Sequence, residues 1–496
     1  MASEQIEFPR IVISALRGGS GKTILSIGII AALTHGGKTV APFKKGPDYI
    51  DAGWLALAAG RPCYNLDTFL ASKEDVRASF LKHAQSADIA VVEGNRGLFD
   101  GIDSGGATST AELAKLLQAP VILCIDCTKS TRTMAAVVLG CQHFDPEVKI
   151  KGVVLNRVAG ARHERTLRSS IESLCGVPVV GALPKLDRQS FPERHMGLVP
   201  TPEHGWARDS IAAAAQIART HLDLKAIECL AADGCRPIPK HAFSAPPNLQ
   251  ESAAPGVKSA PPEDAAVPAR PRIGIIRDSA FQFYYPENLD ALVSEGADLV
   301  YISPLRDTRL PVLDGLYIGG GFPETHVQEL SENRTFRDLL KDLAEDGLPI
   351  YAECGGLMYL GRELVMAGRA YPMAGVLPIV FGFSEKPQGH GYTVVSVEAE
   401  NPFFAVGTEL RGHEFHYSHV LQCDGSDRRT VFRMKKGVGV VGKRDGICHK
   451  NVLATYTHLH ALGTPVWAKA MVRNARAYQR KKQRGAPPRK RGGTPC

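Results

Sequence analysis

Residues 9–33 constrain most tightly what this chain can become. Pro9-Arg10-Ile11-Val12-Ile13-Ser14-Ala15 is an apolar run of strand length, Leu16-Arg17-Gly18-Gly19-Ser20-Gly21-Lys22-Thr23 is a glycine-rich turn, and Ile24 to Leu33 carries an apolar helical pattern. A buried strand that breaks into a helix through glycines points to a layered α/β sheet. Glycines let backbone N–H groups close on phosphate oxygens, Lys22 can reach the outer phosphates, and the Thr23 hydroxyl can bind magnesium. Gly18, Gly19, Gly21, Lys22 and Thr23 are therefore expected to hold a nucleotide.

The next hundred and fifty residues repeat the alternation of strand and helix. Thr39 to Phe43 reads as a second strand, and just beyond it Gly46-Pro47-Asp48-Tyr49-Ile50-Asp51 delivers two carboxylates three residues apart. Either acid could instead cap the helix suggested by Ala52 to Ala59. Ala87 to Glu93 is a third strand, and Glu93-Gly94-Asn95-Arg96-Gly97-Leu98-Phe99-Asp100-Gly101 sets two more acids among glycines. Acids at the carboxyl ends of parallel strands line the edge where open α/β sheets bind ligands. Magnesium ligation by Thr23, Asp48 and Glu93 would neutralise the phosphates, with Asp48 and Asp100 toward the substrate or the γ-phosphate. Strands at Ala119 to Asp126, Ile150 to Asn156 and Pro178 to Pro184 complete a mostly parallel, doubly wound sheet.

The second half is organised around Tyr351-Ala352-Glu353-Cys354-Gly355-Gly356-Leu357. Gly347 to Ala352 reads as a buried strand and Leu357 to Gly361 as the start of a helix, so Cys354 sits where one breaks into the other. A side chain there is displayed, and the helix N-terminus behind it favours a thiolate nucleophile. Core burial is the alternative for any single cysteine. Gly319-Gly320-Gly321 ends another strand, and its N–H groups could form an oxyanion hole, a role worth roughly 3 kcal/mol per donor. Histidines follow in Gly412-His413-Glu414-Phe415-His416 and in Thr455-Tyr456-Thr457-His458-Leu459-His460.

Length and charge bound the rest. At 496 residues the chain exceeds one core. No apolar stretch approaches the ~20 residues of a membrane span and Met1 to Glu7 has no basic region followed by an apolar one, so a cytoplasmic location is expected. The 11 cysteines include no second pair to join Cys124 and Cys127 in a zinc site. Of the net charge of +8, nine Lys and Arg lie in 473–496, leaving the remainder at −1. Such a tail reads as disordered and solvated, which makes nucleic acid an unlikely partner. His241 to Arg270, with six prolines, reads as a linker. The expected domains are 1–240, the linker 241–270, 271–472, and the basic tail 473–496.

Several of these stretches carry a resemblance. The glycine loop has Leu16 where the usual phosphate-loop pattern begins with glycine, and it resembles the deviant K-G-G-x-G-K-[ST] loop of dethiobiotin synthetase and MinD-like ATPases, with Arg17 where some members have lysine. Gly46 to Asp51, Glu93-Gly94 through Asp100-Gly101, Glu193-Arg194-His195-Met196-Gly197-Leu198-Val199-Pro200, and Ala280-Phe281-Gln282-Phe283-Tyr284-Tyr285-Pro286-Glu287-Asn288 resemble the cobyrinic acid a,c-diamide synthase family. Arg272 to Trp467 resembles a class I glutamine amidotransferase domain of that type. The resemblance implies two doubly wound, mostly parallel α/β domains. In the first, ATP with magnesium would convert an acetate of an anionic tetrapyrrole polycarboxylate into an acyl phosphate, with Asn156 recognising the base. In the second, Cys354 would attack glutamine with His458 as base, and ammonia would displace the phosphate.

The family pattern departs at one point. Where the fuller class I triad has an acid two residues after the histidine, this chain has His460. The aromatics of 281–285 are open between interdomain packing and tetrapyrrole contact. Sirohydrochlorin, its nickel form and hydrogenobyrinic acid stay open as substrates beside cobyrinic acid, as does assembly as a homodimer. An ATPase switch with an inactive amidotransferase domain is the rival from another class, but it would be expected to lose the nucleophile, and Cys354, His458 and the 319–321 turn are all present.

Overall fold

The computed structural model describes residues 5–6, 8–185, 193–194, 197–198, 206–233, 238–239, 269–423 and 430–485. The chain divides into two compact units, Met1–Ala254 and Pro255–Cys496. No described helix is long and apolar enough to cross a membrane. Most of the predicted linker, 241–268, lies outside the described residues, as do His195-Met196 and Val199-Pro200 of the Glu193–Pro200 signature.

The first unit keeps the alternation read from the sequence. Its strands are β1 (Arg10–Ala15), β2 (Val40–Lys45), β3 (Tyr64–Leu66), β4 (Ile89–Glu93), β5 (Val121–Asp126), β6 (Ile150–Val158) and β7 (Val179–Pro184). They pair in the order β3-β2-β4-β1-β5-β6-β7, every pair parallel. All six residues of β1 are buried, as a parallel strand covered on both faces requires. The helix after the glycine loop, α1 (Lys22–His35), is buried almost all round. A Cβ on Gly28 would stand 2.8 Å from the Ala214 carbonyl, so a glycine there admits a neighbouring helix at close range.

The second unit holds a ten-stranded sheet. Its parallel half is β10 (Asp298–Ile302), β8 (Arg272–Ile276), β11 (Gly315–Ile318), β13 (Ile350–Glu353) and β22 (Val452–Thr455), in that order. The order continues with β21 (Arg444–His449), β20 (Thr430–Lys436), β17 (Gly389–Val397), β18 (Glu409–His416) and β23 (His458–Leu459), all antiparallel. The short β9 (Phe281–Phe283) pairs with β12 (Gly320–Gly321). A side sheet runs β15 (Arg369–Pro372), β14 (Glu363–Met366), β16 (Ile379–Phe383), β19 (Ser418–Cys423).

Only Tyr456 and Thr457 separate β22, fifth in the large sheet, from β23, its tenth member. So short a connection spans about 10 Å. The antiparallel half must therefore curl until its last strand returns beside β22, which brings His458 back to the parallel strands.

One expectation fails here. Arg473 to Gly485, read as disordered tail, belongs to the helix α2 (Pro465–Gly485). Trp467, Met471 and Ala475 of that helix enter the core against Tyr317 and Tyr351. Tyr478 Oη donates to Asp346 at 2.6 Å, Gln479 Nε2 to Asp314 at 3.1 Å, and Lys482 pairs with Asp314 at 2.8 Å. The basic residues mask an amphipathic repeat whose apolar members lie inward. Residues 486–496 lie outside the described part.

Candidate active sites

The glycine loop closes over the end of β1. Gly19 and Gly21 adopt φ of 69° and 89°, a left-handed backbone that favours glycine. Lys22 Nζ donates to the carbonyls of Arg17 (3.2 Å) and Arg96 (2.8 Å), which ties the loop to the segment after β4. Burial, and then the charge of Lys44, lowers the Lys22 pKa. Asp100 is part of the same wall: its Oδ2 accepts the Gly97 amide at 2.8 Å, and Gly97 packs against the Leu16 carbonyl.

Carboxylate and hydroxyl oxygens converge beside the loop. Thr23 Oγ1 donates to Glu93 Oε1 at 2.9 Å and to Asp51 Oδ2 at 3.3 Å. Asp48 instead turns back, its Oδ1 accepting the Asp51 amide at 2.9 Å at the start of the helix Ile50–Ala59. Asp51 is thus the aspartate that meets Thr23, while Asp48 bonds the first turn of the helix. Burial, and then repulsion from Asp51, pushes the Asp48 carboxyl up to about 7.

Lys44 stands between the two acids, its Nζ 2.8 Å from Asp51 and 2.7 Å from Glu93. Burial opposes its charge, yet the carboxylates prevail and raise its pKa. Glu93 Oε2 is buried with no hydrogen-bond partner. Such an orphaned oxygen beside Thr23 and Asp51 suits a hard divalent cation.

Asn156 is tied to the glycine loop. Its Nδ2 donates to the Ser20 carbonyl at 2.8 Å beneath Gly21, and its Oδ1 accepts the Arg157 amide, so it braces the loop from below.

In the second unit the break between strand and helix is present. Cys354 has φ 47° and ψ −99° between β13 and the helix Gly355–Leu360. A non-glycine residue there is strained by about 1–3 kcal/mol. Its amide donates to the Thr455 carbonyl at 2.8 Å and its carbonyl accepts the Met358 amide at 3.0 Å, which holds the turn. The glycines behind it are steric requirements: a Cβ on Gly355 would stand 2.9 Å from Gly321 N, and one on Gly356 would stand 2.6 Å from the Ile318 carbonyl.

The thiol is less activated than a helix N-terminus suggests. Cys354 is 4% exposed and its Sγ lies 3.8 Å from the Phe415 carbonyl. Burial, followed by the nearby Glu324 charge, raises its pKa. Desolvation of the thiolate outweighs the dipole of a helix only six residues long.

Gly320 and Gly321 line the other side. A Cβ on Gly320 would stand 2.5 Å from His458 Cε1 and 3.3 Å from its Nε2, so the imidazole lies directly over this glycine. Gly319, expected as a third oxyanion donor, is committed elsewhere, because its N–H donates to Tyr284 Oη at 2.7 Å.

The segment Ala280 to Asn288 is a buttress for this site. Phe281, Phe283, Tyr284 and Tyr285 are all buried within the unit, and Asn288 clamps 459–461 through Leu459 O (2.9 Å) and Ala461 N (2.7 Å). Tyr285 Oη lies 3.3 Å from His413 Nδ1, and His413 stacks on His458 with centroids 4.9 Å apart. Burial, then the neighbouring histidines, lowers the His413 pKa, so it stacks as a neutral ring.

Asp445 carries a role that no sequence motif marks. Buried on β21, it accepts from Thr455 Oγ1 (2.7 Å), Tyr456 N (3.0 Å), Thr457 N (3.1 Å) and Thr457 Oγ1 (3.0 Å). It fixes the connection that leads into His458. Lone acids in strands give no local signal of such a role.

Residues 11–199 match the CobQ/CobB/MinD/ParA nucleotide binding domain, and residues 272–466 match the CobB/CobQ-like glutamine amidotransferase domain. A nucleotide binding domain and a glutamine amidotransferase domain on one chain define an ATP-dependent glutamine amidotransferase. The chain is 44% identical over 466 residues to cobyrinate a,c-diamide synthase of Magnetococcus marinus, covering 94% of this chain and 97% of that protein. It is 38% identical over 479 residues to the protein of the same name from Archaeoglobus fulgidus, covering 95% and 98%. To hydrogenobyrinate a,c-diamide synthase of Streptomyces coelicolor it is 40% identical over 491 residues, covering 94% and 98%. The chain belongs to the cobyrinate a,c-diamide synthase family.

Proposed function

We propose that the chain amidates the a- and c-acetate carboxylates of a cobyrinic-acid-type tetrapyrrole, with ATP and with glutamine or ammonia as nitrogen donor, in cobalamin biosynthesis. The observation that carries this reading is the pairing, on one chain, of the Cys354 turn beside His458 with the loop of Lys22 and Thr23 beside Glu93 and Asp51. Relatives matched over nearly their whole length bear the corresponding name.

At the thiol site, His458 Nε2 takes the Cys354 proton as the sulfur attacks the glutamine carboxamide carbon. The N–H groups of Gly320 and Gly321 meet the developing oxyanion. Collapse expels ammonia, which carries away the proton from His458, and water releases glutamate from the thioester.

At the nucleotide site, a substrate carboxylate oxygen attacks the γ-phosphorus and ADP leaves. Lys22 and the amides of Gly18, Gly19 and Gly21 hold the phosphates in line, and Asp100 borders the incoming acetate. Ammonia then attacks the acyl phosphate and inorganic phosphate departs. Thr23, Asp51 and Glu93 would hold magnesium, which when bound supplies charge neutralisation at the phosphates.

The test is mass gain. Incubated with ATP, magnesium and glutamine, cobyrinic acid should gain two amide groups. Turnover of hydrogenobyrinic acid or a sirohydrochlorin in its place would overturn the choice of macrocycle while leaving the chemistry standing.

A further inference from the structure

We propose that Glu353, the residue immediately before the nucleophile, is the carboxylate that orients His458 and balances its charge. The inference rests on the reading of Cys354 and His458 as the glutaminase pair and completes it with a positioning residue that neither the sequence spacing nor the family resemblance indicates.

Glu353 is fully buried at the end of β13. Its Oε2 lies 3.4 Å from His458 Nδ1 and accepts from Tyr317 Oη at 3.0 Å. Its Oε1 accepts the Leu459 amide at 3.0 Å, one residue past the histidine. The carboxylate is thus anchored to the strand that carries the base, on the Nδ1 side of the ring, while Nε2 lies over Gly320. A proton held on Nδ1 leaves Nε2 as the basic nitrogen.

The position two residues after the base cannot serve. His460 is turned away, its Nε2 3.6 Å from Glu287 Oε2 and its ring 4.5 Å from that of Tyr285. Among the titratable groups facing the His458 ring are Glu353 from β13 and His413 from β18, and His413 stacks on it. Of these two, Glu353 is the anion. Strand β13 thus ends with the acid at the Nδ1 side of the imidazole, and the strained turn that follows carries the Cys354 thiol.

Glu353→Gln keeps the shape and removes the charge. Glutamine-driven kcat/KM should fall by about 100-fold or more. Loss of an adjacent anion disfavours the imidazolium, so the acidic limb of the glutaminase pH profile should move to lower pH by about one unit. Ammonia-driven amidation by the same preparation should be unchanged, which reports that the chain is folded. His460→Gln should leave the limb in place. A Glu353→Gln enzyme with an unmoved limb, or a limb that moves in His460→Gln instead, overturns the proposal.

Should Glu353→Gln fail to fold, wild-type protein carries the test. Nitrogen-15 histidine spectra, with His458 assigned by its loss in His458→Gln, should show the Nδ1–H tautomer at neutral pH. The Nε2–H tautomer there overturns the assignment. If Cys354→Ala still releases ammonia from glutamine, the premise itself has gone; if that variant is dead and Glu353→Gln is normal, only the present inference has.

Discussion

The carbonyl oxygen of Thr455 accepts the Cys354 amide hydrogen at 2.8 Å, three residues ahead of His458. Cys354 therefore follows β13, the parallel neighbour of β22, and the strained turn is stitched to the segment that leads from β22 into His458 on β23. Removal of the sulfur leaves that frame intact. Cys354→Ala should lose glutamine-driven turnover and keep synthesis from free ammonia, as measured by amide formation with each donor. Retained glutaminase activity would reject Cys354 as the nucleophile.

Gly320 supplies the clearance for the His458 ring. A methyl group at that position would stand 2.5 Å from His458 Cε1. Gly320→Ala should displace the imidazole and lower glutamine-driven kcat/KM by about 10-fold or more, since an error near 1 Å in catalytic geometry is enough for that. Ammonia-driven kcat/KM should stay at the wild-type value.

The loss from Lys22→Ala should not depend on the nitrogen donor. Without the ammonium that now bonds the Arg17 and Arg96 carbonyls, the loop lacks its cation for the outer phosphates. Synthesis from glutamine and from ammonia should both fall below detection in the amidation assay. Normal ammonia-driven amidation would mean that this loop does not hold the reacting phosphates.

The C-terminal helix separates structure from charge. A chain ending at Arg476 loses the Tyr478 ring and the Gln479 and Lys482 contacts to Asp314. Burial of one such side chain is worth about 1.5–3 kcal/mol, so Tm should drop by about 5 °C or more in calorimetry. A chain ending at Gly485 keeps every one of these contacts and should melt with the full-length protein.

His83 sets a pH dependence of stability in the first unit. Burial, and then the charges of Lys82 and Arg61, lowers its pKa from 6.5 to about 4, and its ring stacks on Tyr64. The unfolded chain takes up this proton below pH 6.5 and the folded chain does not until about pH 4. His83 therefore costs stability progressively as pH falls through that window. His83→Phe keeps the stack and removes the titration, so its Tm should decline less steeply than wild type between pH 6.5 and 4. Parallel declines would show that another group governs the window.

What the sequence by itself determined was local. The strand, glycine and helix order at 10–33 and 350–360 arises from apolar periodicity and from backbone positions that only glycine fits, as at Gly21 and Gly356, and those rules act within a few residues. Lys22, Thr23, Glu93 and Cys354 could be picked out because they sit at such turns. The tertiary structure decided which side chains meet. Asp48 and Asp51 are equivalent by composition, and only the first turn of their helix sends Asp51 toward Thr23 while Asp48 caps it. Gly319 resembles its two neighbours until Tyr284 takes its amide. Arg473 to Gly485 reads as solvated charge until the core and Asp314 supply partners for its inward face. Glu353 and His458 are 105 positions apart. Their contact depends on how far the antiparallel half of the sheet curls, a sum of strand twists and registers across ten strands that no local pattern encodes.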